Sequence, residues 1–188
     1  MVQINKKISK IIGLFGSSFN PPHFGHRAVI EDLTRNPKFD EIWLLPVFAH
    51  AFGKDLVPFG HRLTMLELML KTLSSKNVRI SKIEQELNKK PSYTYDVISA
   101  LKQKYPDHEF YIVLGTDAQM QLAQWHRIDE LKNMAKFYFI PRQGYAKSPY
   151  PQISSSEIRQ RILNHEDIAT FTSLEIIDYI KKHRIYPS

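Results

Sequence analysis

The chain has 188 residues, 43% of them apolar and 24% charged, a globular balance that argues against extended disorder. A chain of this size can bury about 70% of its unfolded surface, which suffices for one core and not for two large domains. Its 26 basic and 19 acidic residues give a net charge of +7, and the absence of cysteine excludes a disulfide scaffold, a thiolate zinc site and a cysteine nucleophile.

Ile11-Ile12-Gly13-Leu14-Phe15 predicts a buried strand ending in a Gly-Ser turn, followed by a helix over 24–35. Glu41 to Leu45 predicts a second strand, stopped by Pro46. Leu63, Leu66, Leu70 and Leu73 share one face of a helix over 61–74. Val78 to Ile80 reads as a brief strand, and Val97, Ile98, Leu101 and Tyr105 mark a helix over 94–105. Phe110 to Leu114 is the most apolar strand and Phe137 to Ile140 the next; helices near 155–164 and 173–183 close the chain. This alternation predicts an α/β fold, a Rossmann-like three-layer sandwich with a central, mostly parallel sheet and helices on both faces. One domain over 1–188 is expected, its part from about 153 to 188 helical. Residues 142–152, rich in Pro, Gly, Ser and Tyr, read as a loop within it. Ligands of such sheets lie beyond the carboxyl ends of the strands, so the loops after Phe15, Leu45, Leu114 and Ile140 matter most.

The first of these loops reads Gly16-Ser17-Ser18-Phe19-Asn20-Pro21-Pro22-His23-Phe24-Gly25-His26. It holds neither a P-loop nor a G-x-G-x-x-G fingerprint. Gly16 and the small serines let backbone amides approach an anion, and Gly25 leaves room for a flat ring or a phosphate. His23 and His26 sit three apart at a helix start, where both can point into one space. An H-x-x-H pair by itself is as readily a pair of helix caps. Near the other end, Ile153-Ser154-Ser155-Ser156-Glu157-Ile158-Arg159 carries an S-x-x-E capping box from Ser154 to Glu157. Its free amides and the Arg159 fork would attract anions.

Together, in this order, the two clusters resemble the nucleotidyltransferases that share the HIGH-type signature. Four further segments resemble bacterial nicotinate-nucleotide adenylyltransferase. Pro91 to Asp96 is similar to its S-Y-T-x-D stretch, Leu114 to Asp117 to its I-G-x-D, Trp125 to the tryptophan of its L-P-x-W, and Ile140 to Gly144 to its R-P-G turn. The likeness runs on through Ile177 to Ile180 and Tyr186. The chain departs from the family in two places. Gly16 to Pro21 stands where the family usually reads G-G-T-F-D-P, so Asn20 loses a charge. Pro46-Val47-Phe48-Ala49-His50-Ala51-Phe52-Gly53-Lys54 stands in place of P-P-H-K.

The resemblance implies adenylyl transfer from ATP to nicotinate mononucleotide, giving nicotinate adenine dinucleotide and pyrophosphate in NAD biosynthesis. It implies that His23, His26 and Arg159 act at the reacting phosphates. Gly16, Ser17, Ser18, Phe19, Gly25, Asp117, Ser155 and Ser156 would bind ATP, and Tyr93, Thr94, Trp125, Arg142, His50 and Lys54 the pyridine nucleotide. Mg²⁺ would arrive on the ATP phosphates, with no metal site of the protein's own. Other acceptors, nicotinamide mononucleotide or phosphopantetheine, keep the same chemistry, and a nucleotide-binding relative with weakened catalysis remains a further alternative. Scattered basic residues and the paired clusters speak against a nucleic-acid-binding module. No run of 18 apolar residues and no export signal are visible, so a cytoplasmic protein without a membrane span is expected; homo-oligomerisation is left open.

Overall fold

The structure, a computed structural model, describes residues 9–49, 53, 55–141 and 148–186. Among them, β1 (Lys10–Ser17), β2 (Glu41–Pro46), β3 (Val78–Ile80), β4 (His108–Gly115) and β5 (Lys136–Ile140) form one parallel sheet in the order β3-β2-β1-β4-β5. Leu14 lies beside Trp43 on one neighbour and beside Ile112 on the other, so β1 is central. The chain winds outward from β1 in one direction through β2 and β3, then returns to start again with β4. The topological switch point therefore falls between β1 and β4.

Both faces of the sheet are covered, which is why its strands read as unbroken apolar runs. Strand periodicity sorts the side chains. Ile12, Leu14, Trp43, Leu45, Phe110 and Ile112 pack with Ile83 of α3 (Ile83–Leu87), Val97, Ile98 and Leu101 of α4 (Thr94–Lys104), and Leu131 of α5 (Ile128–Met134). Phe15, Ile42, Leu44, Tyr111 and Val113 meet α1 (Phe24–Arg35) through Val29, Ile30 and Leu33, and α2 (Phe59–Lys71) through Met65, Leu66 and Met69. The closing helix α7 (Leu174–Lys182) adds Ile176 and Ile180 to that second core, while α6 (Ser155–Leu163) packs Ile158 against Ile168 and Ile177. No helix among the described residues is long and apolar enough to cross a membrane.

The predicted strands and the five long helices all occur, with ends displaced by at most three residues and several not at all. The helix expected at 61–74 begins at Phe59, behind Pro58, and stops at Lys71. Three elements were not anticipated: α3, α5 and a 3₁₀ helix over Thr116–Gln124. The first two are too short to show a helical period. The third places none of its residues in the core.

Candidate active site

Two cavities open at the carboxyl ends of β1 and β4, one on each side of the switch point. The first, about 610 Å³, is lined by Ser17, His23, Gly25 and His26 from the first loop and by Asp117 after β4. Ile153, Ser154 and Glu157 line it from the start of α6. The second, about 480 Å³, is lined by Leu45, Val47, Glu84, Ser92, Tyr93, Thr94, Trp125 and His126. Gly16, Val113 and Leu114 border both.

The two histidines cap α1 reciprocally. His23 Nδ1 accepts the His26 N–H at 3.3 Å, and His26 Nδ1 accepts the His23 N–H at 3.3 Å. A ring that accepts at Nδ1 carries its proton on Nε2 when neutral. His26 Nε2 donates across 3.0 Å to Ser17 Oγ. The rings stack with centroids 3.7 Å apart. Capping thus fixes the tautomer and the orientation of both imidazoles at once. The space that Gly25 leaves is filled from inside the protein: a Cβ there would stand 3.0 Å from the His23 ring and 3.2 Å from the Pro151 carbonyl.

Phe19 lies beneath this pair. It is 0% exposed, edge-on to Phe15 at 5.9 Å and 4.8 Å from the His26 ring. It holds a left-handed backbone at φ +46°, which costs a residue with a Cβ about 1–2 kcal/mol. Burial of the phenyl ring offsets that cost. Phe19 supports the histidines from below and does not line either cavity.

The rest of the loop is tied down by donors from distant elements. Arg62 donates to Ser18 O at 2.9 Å, and Arg159 to Asn20 O at 2.8 Å. Ser155 Oγ donates to Pro21 O and Thr172 Oγ1 to Pro22 O, each at 2.9 Å. Tyr186 donates its hydroxyl to Asn20 Oδ1 at 2.7 Å. Four of the five carbonyls from Ser18 to Pro22 are therefore occupied by these donors, two of them by guanidinium groups, which biases the loop toward anions. Arg62 is 1% exposed and has no ion-pair partner among the described residues; desolvation pulls it below the ordinary arginine range. Burial pushes the Tyr186 hydroxyl up.

The I-S-S-S-x-I-R segment thus reaches the first loop, although the contact differs in detail from a row of phosphate ligands. Ser154 Oγ caps α6 by accepting the Glu157 N–H at 3.1 Å. Ser154 and Glu157 line the first cavity, while Ser155 and Arg159 hydrogen-bond the loop backbone. Ser156 is exposed and accepts from Arg159 at 3.2 Å. Ser18 is held through its carbonyl and lies outside both linings.

In the second cavity, Tyr93 stands at the N-cap position of α4 without a side-chain capping bond, and its ring stacks on His126 with centroids 4.4 Å apart. Trp125 ends the 3₁₀ helix, so that helix links Asp117 in the first cavity to Trp125 in the second. Glu84 and His126 went unnoticed in the sequence, and Ser92 figured only as the first residue of the S-Y-T-x-D-like stretch, with no role of its own. His126 directly follows Trp125 and could have been picked out by that adjacency; Glu84, inside an acidic surface-like run, carried no signal. His50, Lys54 and Arg142 lie outside the described residues.

A parallel sheet with a histidine-capped loop at its switch point defines a nucleotidyltransferase fold, and the cytidylyltransferase-like family model matches residues 14–161. The chain is 34% identical over 186 residues to the probable nicotinate-nucleotide adenylyltransferase of Oceanobacillus iheyensis, spanning 93% of this chain and 96% of that one. It is 31% identical over 191 residues to the nicotinate-nucleotide adenylyltransferase of Bacillus subtilis, spanning 95% and 100%. The nicotinic acid mononucleotide adenylyltransferase of Plasmodium falciparum, solved in complex with NaAD, superposes with a TM-score of 0.83 at 25% identity, covering 94% of this chain and 97% of that one. This chain belongs to the nicotinate-nucleotide adenylyltransferase family.

Proposed function

We propose that the protein transfers the adenylyl group of ATP to nicotinate mononucleotide, releasing pyrophosphate and nicotinate adenine dinucleotide, a step of NAD biosynthesis carried out in the cytoplasm by one nucleotidyltransferase domain. The observation that carries this reading is the pair of cavities meeting at Gly16, Val113 and Leu114. Two nucleotides seated one in each would bring their phosphates together over the end of β1. A Cβ at Gly16 would approach only the Leu45 carbonyl, at 4.0 Å, so the protein leaves the position open toward a ligand.

ATP takes the first cavity. Asp117, at the end of β4, is suited to accept ribose hydroxyls, and the amides of the first loop with Ser17 and Gly16 meet the phosphates. The mononucleotide takes the second cavity, where Trp125 offers a flat apolar face to the pyridine ring and the α4 start at Tyr93 and Thr94 offers amide donors to its carboxylate. Its 5′-phosphate attacks the α-phosphorus of ATP. The new P–O bond forms as the bond to the bridging oxygen breaks, and the electron pair leaves with pyrophosphate. The nucleophile is already anionic, so no general base is needed. Catalysis rests on alignment and on neutralising charge at the phosphorus. His23 serves the second purpose through its Nε2–H donor and His26 through its Nε2–H once a phosphate takes it from Ser17 Oγ, and Arg159 holds the loop that presents them while adding positive potential. No cluster of three or more potential metal ligands stands among the described residues, so Mg²⁺ carried on the triphosphate would be held mainly by phosphate and water and would supply further charge neutralisation.

Purified protein with ATP, Mg²⁺ and nicotinate mononucleotide is expected to release pyrophosphate and the dinucleotide in equal amounts, with a higher kcat/KM than for nicotinamide mononucleotide. No pyrophosphate from either mononucleotide would overturn the reading. A preference for the amide would move the acceptor assignment.

A further inference from the structure

Glu84 is a buried carboxylate that the chemistry above does not use. It is 8% exposed, sits on the short helix α3 and lines the second cavity. Its Oε2 accepts the Phe48 N–H at 2.9 Å, and the Ser92 hydroxyl lies beside its carboxylate and favours the charged form. Ser92 in turn donates its N–H to the Ala49 carbonyl at 3.0 Å. The segment after β2 is therefore pinned at two successive residues, Phe48 by Glu84 and Ala49 by Ser92 at the entry to α4. Burial pushes this carboxyl above the ordinary range, while the Phe48 hydrogen bond, the Ser92 hydroxyl and the buried Arg62 act against that. A charge-bearing group removed from water is costly unless its bonds serve the fold or the site. A surface-sized helix of five residues has little core to gain from it.

We propose that Glu84 is a positioning residue for the acceptor: by bonding Phe48 N–H, next to the Ala49 carbonyl that holds Ser92, it fixes the spacing between the segment after β2 and the start of α4, and so the slot in which the pyridine ring lies opposite Trp125. This rests on the assignment of the second cavity to the pyridine mononucleotide. Tyr93 and Thr94 follow Ser92 directly, so a shift of Ser92 moves the amides offered to the ring carboxylate. The first cavity shares no wall with Glu84. Loss of this pinning therefore acts on one substrate and spares the other.

Steady-state kinetics of the full chain test this, with Glu84→Ala, Glu84→Gln and Ser92→Ala measured against both substrates. Glu84→Ala is expected to raise the KM for nicotinate mononucleotide on the order of tenfold, the ordering once built into the site now being supplied by the ligand. The KM for ATP and kcat should stay within about threefold. Gln keeps an oxygen acceptor for Phe48 N–H and is expected to recover most of the loss; Ser92→Ala should show the same one-sided rise. Equal rises in both KM values, an unchanged acceptor KM, or no recovery by Gln would each overturn the proposal. Should Glu84→Ala fail to fold, the Gln and Ser92→Ala variants decide it by the same criteria. The wild-type control separates failures: if it turns over nicotinate mononucleotide, a negative result counts against Glu84 alone, and if it does not, against the cavity assignment.

Discussion

Replacing His26 by alanine should lower kcat by about 10²–10³-fold, the range found when a preorganised donor to a developing charge is removed. The variant should remain folded. His26 accepts the His23 N–H and lies against Phe19 and His23, so its loss removes half of the α1 capping box, worth about 1 kcal/mol. That is a small part of the stability of an ordinary domain. Circular dichroism and thermal unfolding report the folding cost, and pyrophosphate release reports turnover. A variant with near-normal turnover would remove His26 from the reacting centre. One that is inactive because it is unfolded would leave His26 with a capping role only.

Phe19→Ala is expected to cost stability most. The ring is fully buried between Phe15 and His26, and phenylalanine-to-alanine changes in such positions cost about 3–5 kcal/mol. For a chain of this length that corresponds to a fall in Tm of roughly 10 °C. The left-handed backbone at φ +46° gains nothing from alanine, which keeps the Cβ that makes the conformation costly. Because His26 rests on this ring, the KM for ATP should rise together with the loss of stability. A thermal shift below about 2 °C would mean that Phe19 is not a support of the loop.

The sheet was legible because its strands are buried on both faces, which leaves runs such as Ile11 to Phe15 and Phe110 to Leu114 with no polar interruption. The alternation of strands and helices pointed to the loops at the carboxyl ends of the strands, whereas the strand order, and with it the switch point between β1 and β4, is visible only in the structure. The first loop was legible only in combination: paired histidines at a helix start are as readily caps, and it was their joint occurrence with the I-S-S-S-x-I-R segment that marked them; here they cap the helix and line the cavity together. What could not be read was the work of side chains whose partners are backbone atoms far along the chain. Arg159 and Ser155 looked like direct phosphate ligands because both groups bind anions readily; the structure spends their hydrogen bonds on the carbonyls of Asn20 and Pro21. Asn20 looked like a lost charge, yet its side chain is the buried acceptor for Tyr186 and for the Val57 N–H at 3.4 Å. Arg62 and Glu84 left no trace in the pattern, since a buried charge on a short or amphipathic helix is spelled like an exposed one. The 3₁₀ helix between Asp117 and Trp125 was invisible for a related reason: it buries no side chain and so shows no period.

The most direct measurement is a crystal structure of the protein with nicotinate adenine dinucleotide bound. The adenosine half should lie against Gly25, Asp117 and Ser154, the pyridine against Tyr93 and Trp125, and the diphosphate over Gly16 within hydrogen-bonding reach of the His23 or His26 ring. A dinucleotide folded wholly into one cavity, or seated away from the ends of β1 and β4, would contradict the two-cavity mechanism.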